Sequence, residues 1–168
     1  MKTTNIKQPL RSLLAVFLLS LLLSACSSSK NVTTLNSEEI NNMVNSSQFI
    51  FVADRLSPMR GGTRYLSSYY YLDVNKDTLT SFLPFLGRIY HPLIDPSRGS
   101  FRFTSENFTY DVTSKNKNGW NIVIKPRDYS NVKQLDFQVF DNGTANLSII
   151  STDRDNISFS GRIEKLNG

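Results

Sequence analysis

From Gln48 onward the apolar residues recur at every second position and are cut by turn residues at short intervals, and this pattern restricts the chain more than anything else in it. Successive side chains of an extended strand point to opposite faces, so a period of two means strands with one buried face and one wet face. Three late segments carry it most cleanly. Leu135, Phe137 and Val139 alternate with Asp136 and Gln138; Ala145, Leu147 and Ile149 with Asn146 and Ser148; Ile157, Phe159 and Ile163 with Ser158, Ser160 and Arg162. The pattern predicts strands over 48–54, 64–74, 78–83, 100–104, 107–113, 120–125, 133–140, 144–151 and 156–164. Asn75-Lys76, Asn118-Gly119 and Asn142-Gly143 lie between them, and Asn-Gly suits a hairpin because a type I′ turn needs positive φ at both central residues. The first strand differs, since Ile50 and Val52 oppose Phe49, Phe51 and Ala53; it is expected to be covered on both faces, on one of them by the helix before it. That helix is predicted over 37–46. Asn36 followed by Glu39 has the spacing of a capping box, with Ile40, Met43 and Val44 at helical intervals behind it. The expected fold is mainly β: an antiparallel meander of about eight to nine strands, curled or barrel-like so that its edges are protected, with one short N-terminal helix.

The N-terminus reads as an address. Lys2, Lys7 and Arg11 precede an apolar run from Leu13 to Leu23 broken only by Ser20, the basic and hydrophobic regions of a secretory signal. Eleven helical residues cover about 16 Å, far short of a hydrocarbon core near 30 Å, which disfavours a lasting span. Leu23-Ser24-Ala25-Cys26 resembles the bacterial lipobox, in which the thiol is alkylated with diacylglycerol and the chain is cut before the cysteine. Cys26 is the only cysteine, so it has no disulfide partner within the chain. The expected organisation is a lipoprotein signal peptide over 1–25, a lipidated Cys26 with a flexible tether over 26–35, and a single β-rich domain over 36–168. No acidic run follows Cys26, which favours an outer-membrane protein facing the periplasm.

Charge and residue inventory exclude more than they assign. Nineteen Lys and Arg face 14 Asp and Glu, a net charge of +5. Removing the three basic residues of the signal leaves 16 against 14, or +2, and no basic run remains to track nucleic acid. One histidine and one acylated cysteine cannot build a Cys/His nucleophile pair, a structural zinc site or a multi-histidine centre, so no metal or cofactor is expected. No Gly-x-Ser-x-Gly elbow occurs. Asp73 with Asp77, and Asp153 with Asp155, are possible acid/base pairs, but both pairs sit at predicted turns, where Asp commonly bonds its own backbone. The chain is therefore not expected to be an enzyme.

One link is unusually long. Residues 84–99 hold three prolines and two glycines together with Arg88, Tyr90 and the sole histidine, His91, and loops of this length are usually functional or mobile. Arg60-Gly61-Gly62-Thr63-Arg64 places two unhindered backbone amides between two guanidinium groups, a possible anion-binding nest. If the long loop folds over this turn, Arg60, Arg64 and Arg88 converge on a phosphate, carboxylate or lipid headgroup. Tyr69 and Tyr71 are expected on one face of their strand and Tyr70 on the other; Phe82, Phe85 and Tyr90 are expected to serve as core and loop anchors.

Four segments carry a resemblance: Phe51-Val-Ala-Asp-Arg-Leu-Ser-Pro-Met-Arg60, Leu83-Pro-Phe-Leu-Gly-Arg-Ile-Tyr90, Gly143-Thr-Ala-Asn-Leu and Arg154-Asp-Asn-Ile-Ser-Phe-Ser-Gly161. Together they resemble the domain-of-unknown-function 4251 family of Bacteroidetes lipoproteins, over roughly Glu38 to Glu164. The resemblance implies a small, mostly β domain behind a lipoprotein signal and transfers no catalytic residues; the stretch from Tyr90 to Pro96 departs from the family, so His91 receives no role. Asp77-Thr78-Leu79 is similar to the short sequon glycosylated on exported Bacteroidetes proteins, which makes Thr78 a candidate acceptor at a hairpin. The expected function is a lipid-anchored cell-envelope module that binds an envelope lipid, glycan or protein partner. The alternative is a carrier holding an apolar ligand inside the curled sheet.

Overall fold

The computed structural model describes residues 35–90, 99–115 and 119–166. Cys26, the segment predicted as signal peptide, most of the tether, and His91 lie outside the described residues.

Capping sets where the chain enters its first element. Asn36 Oδ1 accepts from the Glu39 amide at 2.7 Å while Glu39 Oε2 accepts from the Asn36 amide at 3.1 Å, so two otherwise orphaned donors are satisfied reciprocally. Helix α1, Ser37–Ser46, follows and buries Ile40, Met43 and Val44. It ends at Ser47, whose φ of 55° is left-handed. Nine strands succeed it: β1 (Phe49–Pro58), β2 (Arg64–Val74), β3 (Leu79–Leu83), β4 (Phe101–Ser105), β5 (Phe108–Lys115), β6 (Gly119–Pro126), β7 (Val132–Val139), β8 (Thr144–Ser151) and β9 (Ile157–Glu164).

Every pairing is antiparallel, and the order across the sheet is β4-β3-β2-β1-β9-β8-β7-β6-β5. Two meanders, β1 to β4 and β5 to β9, are joined where the first strand pairs with the last, and the sheet curls into a nearly closed, barrel-like form. The two edge strands are consecutive in the chain. Their seam is sealed by the loop between β6 and β7: the Phe103 ring stacks on Tyr129 at 4.4 Å between centroids, and the Asp128 carboxylate accepts from Ser105 Oγ and from the amides of Glu106 and Asn107. The turn between the two edge strands is thereby pinned to the β6–β7 loop.

The inward face is the alternating apolar set. Phe49 and Phe51 of β1 meet the Phe137 ring of β7 edge-on at 5.8 and 5.4 Å, and the same cluster takes in Leu72, Ile122, Ile124, Leu147, Ile149 and Phe159. Its helix-side boundary is Ile40, Met43 and Val44, with the Tyr110 hydroxyl donating to the Val44 carbonyl at 2.6 Å. Burial pushes the Tyr110 phenol far above its ordinary value.

β1 departs from expectation at its end. It continues to Pro58, past the predicted end at Asp54, because a bulge between Ala53 and Arg55 shifts the register against both β2 and β9 and returns Leu56 to the inner face. Strict alternation does not survive such an extra residue. Both faces of β1 are covered, as expected, and the helix packs on the inner one. Val52 is only 4% exposed, but its cross-strand neighbours are Tyr71 and Arg162, whereas the buried residues of α1 join the inner cluster. β9 approaches β1 closely at Gly161, where a Cβ would stand 1.9 Å from the Val52 carbonyl oxygen. No helix among the described residues is long and apolar enough to cross a membrane.

Candidate functional site

The loop that leaves β3 is tied to the turn between β8 and β9. Asp155 Oδ2 accepts from the Arg88 amide at 3.0 Å, Oδ1 accepts from the Tyr90 hydroxyl at 2.5 Å, the Asp155 amide donates to the Arg88 carbonyl, and the Tyr90 amide donates to the Asp153 carbonyl. Gly87 permits this closeness, since a Cβ there would lie 2.8 Å from the Phe85 ring and 3.2 Å from Asp155 Cβ. Beneath the contact lies Arg154, 1% exposed, with its guanidinium bonded twice to the Asp153 carboxylate and held 5.2 and 5.0 Å from the Phe85 and Phe101 ring centroids. Its Nη1 has no hydrogen-bond partner among the described residues. Nothing in the run Asp153-Arg154-Asp155 distinguishes a buried arginine from a solvated one, so reading the sequence misses it.

Two of the three arginines expected to converge act on one group. The Tyr90 hydroxyl and the Arg88 amide, followed by the charges of Arg60 and Arg88, hold the Asp155 carboxyl below its ordinary value. Tyr90 is raised in turn, chiefly by the same hydrogen bond. Arg60 and Arg88 are both exposed. Arg64 is exposed as well, but it begins β2 opposite Leu56 and is not among the charges acting on Asp155 or Tyr90. Gly61 has a φ of 100°, the left-handed geometry that lets the turn place Arg60 there, while Gly62 has open space around it. The charges of Arg60 and Arg88 thus act on Asp155 beside the Arg154–Asp153 pair, three cations against two carboxylates.

A second surface lies on the outer face of β2, β3 and β4. Tyr69, Tyr71, Thr80, Phe82, Arg102 and Thr104 line an open groove of about 520 Å³. Phe82 is not a core anchor: it occupies an outward position of β3, with the Tyr70 and Tyr71 rings 5.5 and 5.9 Å away and the Arg102 guanidinium 4.4 Å above it. Tyr70 packs against the inner cluster, Phe85 meets Phe101 edge-on at 5.6 Å, and Tyr90, though 54% exposed, anchors its loop through Asp155. Thr78 is half-buried in the β2–β3 turn, where it exchanges backbone hydrogen bonds with Asn75. Of the carboxylate pairs, Asp153 and Asp155 are engaged as described; Asp77 is exposed and Asp73 is half-buried with Oδ1 unpartnered among the described residues. Among those residues no three His, Cys, Asp or Glu side chains are grouped to hold a metal ion.

The model of a domain of unknown function, DUF4251, matches residues 32–163. The chain belongs to the DUF4251 family. A crystal structure of a DUF4251 family protein from Bacteroides eggerthii DSM 20697 superposes with a TM-score of 0.57 at 14% identity, covering 78% of this chain and 88% of that one. At that identity the likeness shows the fold. No curated protein matches the sequence. The DUF4251 description assigns no catalytic activity, so chemistry has to be argued from the two surfaces just described.

Proposed function

We propose that this DUF4251 protein is a lipid-anchored, non-enzymatic module of the cell envelope that holds an anionic headgroup at the face carrying Arg60 and Arg88. The observation that carries the reading is that the Arg88 backbone is bonded to Asp155 and that the charges of the exposed Arg60 and Arg88 both act on that carboxylate, beside an Arg154 already paired with Asp153. Asp155 offsets one charge and leaves one for a ligand. A partly exposed pair of arginines suits a phosphate or carboxylate, which accepts two parallel N–H bonds from each guanidinium plane. The packed interior favours a surface site over an enclosed one, because the inward side chains of the nine strands already occupy one another. Cys26 supplies the anchor and brings the domain to the membrane, where such headgroups are concentrated.

Vesicle co-sedimentation tests this. The full chain should bind phosphatidylglycerol vesicles more than phosphatidylcholine vesicles, and the difference should shrink as salt rises above about 0.15 M, where the screening length is about 8 Å. Arg60→Ala with Arg88→Ala should abolish the difference. The substitution at Arg88 spares the loop, whose attachment to Asp155 uses the Arg88 backbone. Arg64→Ala should have little effect. Unchanged binding by the Arg60, Arg88 double variant removes the site.

A further inference from the structure

We infer that the outer groove of β2, β3 and β4 binds an acidic glycan, with a sugar ring on Tyr69 and Tyr71 and its acidic group on Arg102, which is itself seated on Phe82. The site shares no residue with the Arg60 and Arg88 cluster. Its floor is a run of three mutually tilted rings, Tyr69 to Tyr71 at 5.5 Å and 36° and Tyr71 to Phe82 at 5.9 Å and 53°, carried by two adjacent strands of the sheet. Tyr69 is 55% exposed, so its ring is open to a ligand from solvent. The walls are polar, with the hydroxyls of Thr80 and Thr104 3.5 Å apart across β3 and β4 and the phenol oxygens of the two tyrosines.

A pyranose has the matching construction: a flat C–H face that lies on an aromatic ring and an equatorial rim of hydroxyls that donate and accept. An apolar helix laid in the same groove would cover the Tyr69 and Tyr71 hydroxyls and the Arg102 guanidinium without giving them partners, each at a cost. Charge then selects among sugars. Arg102 is exposed, makes no ion pair among the described residues, and rests its guanidinium face on Phe82, which leaves its N–H edge free. At the opposite end, burial first and then the charge of Glu164, with Asp73 adding to it and Arg162 opposing, push the Tyr69 phenol above its ordinary value. Toward β1 the single cation Arg162 pairs with two carboxylates, Asp54 and Glu164, each at 2.8 Å, whereas Arg102 at β4 is unpaired among the described residues, so an acidic sugar lies with its carboxylate toward β4 and the β1 side carries the excess of negative charge. A polyanion such as nucleic acid would meet the negative end as well.

Calorimetric titration of the full chain, purified in detergent, with hexamers of galacturonate and of hyaluronan, and with their methyl esters as neutral counterparts, tests the assignment. At least one acidic hexamer should bind, with its ester about tenfold weaker. Tyr69→Ala should weaken that acidic hexamer by about tenfold, in the range of one lost stacking contact. Arg102→Gln should bring acid and ester to equal affinity. The Arg60→Ala, Arg88→Ala double variant should bind the hexamer like the parent, which separates failure of this site from failure of the headgroup site. Absence of binding by both acidic hexamers into the millimolar range, equal binding of acid and ester by the parent chain, or an unaltered titration for Tyr69→Ala overturns the inference.

Discussion

Asp155 and Asp73 belong to one domain, yet their surroundings move their protonation in opposite directions. The Tyr90 hydroxyl and the Arg88 amide lower Asp155, while burial raises Asp73, whose Oδ1 finds no partner among the described residues. The signs follow by linkage. A lowered native value means stability that is fully present above the ordinary 3.8 and is lost as pH falls through the lowered value. A raised native value means a penalty that is fully present above the raised value and gone below 3.8. Thermal unfolding at neutral and acid pH should therefore show Asp155→Asn melting below the parent at pH 7, with the gap closing once the pH is well under 3.8. Asp73→Asn should melt above the parent at pH 7 and together with it in acid. A neutral-pH melting point for Asp73→Asn at or below the parent's would mean that the carboxylate is solvated.

Within the strands, alternation converts directly into energetic asymmetry. Phe137 is 3% exposed and its ring lies between those of Phe49 and Phe51, so Phe137→Ala removes a packed aromatic and leaves a cavity, at a cost of about 3–5 kcal/mol. Gln138, its neighbour on the outer face, should tolerate alanine within about 0.5 kcal/mol. Chemical denaturation of the two variants checks this, and similar midpoints would place the β7 register one residue out. Alternation also explains what was legible here. The strands from β7 to β9 and the capped helix follow their local patterns, whereas β1 is misjudged at its end. Its bulge shifts two pairings at once, and the Tyr71 and Arg162 that cover Val52 come from strands about 20 and 110 residues away.

At the scale of the whole molecule, the domain closes only when its first strand finds its last, a pairing that joins Ile50 to Glu164. Such a chain must form long-range contacts before they stabilise it, so slow folding is expected relative to helical domains of this size. Anchoring belongs to the same scale. If Cys26 carries the lipid, Cys26→Ser should leave the membrane fraction or remain unprocessed, and intact mass of the native protein should show the acyl chains on residues 26–168. The same spectrum reads Thr78, where a glycan is expected if the Asp77-Thr78-Leu79 sequon is used. Normal processing and acylation of Cys26→Ser would end the anchoring proposal, and a mass that needs no glycan would end the one for Thr78.

What the sequence determined by itself depends on neighbours a few residues apart: the helix and its cap, strand number, inward faces, and the family through its four segments. The type I′ geometry expected at Asn142-Gly143 is absent, since only Gly143 of the two has positive φ, and Asn118 lies outside the described residues. Period and capping are local, and they survive in any fold that buries one face. What only the tertiary structure decided was which distant side chains meet. Arg88 reaches Asp155 across 67 residues, Arg60 joins them while Arg64 does not, Arg154 is buried rather than solvated, and Phe82 turns outward beneath Arg102. Each of these depends on sheet curvature and on how a loop lies over its end, and neither leaves a periodic trace in the residues concerned.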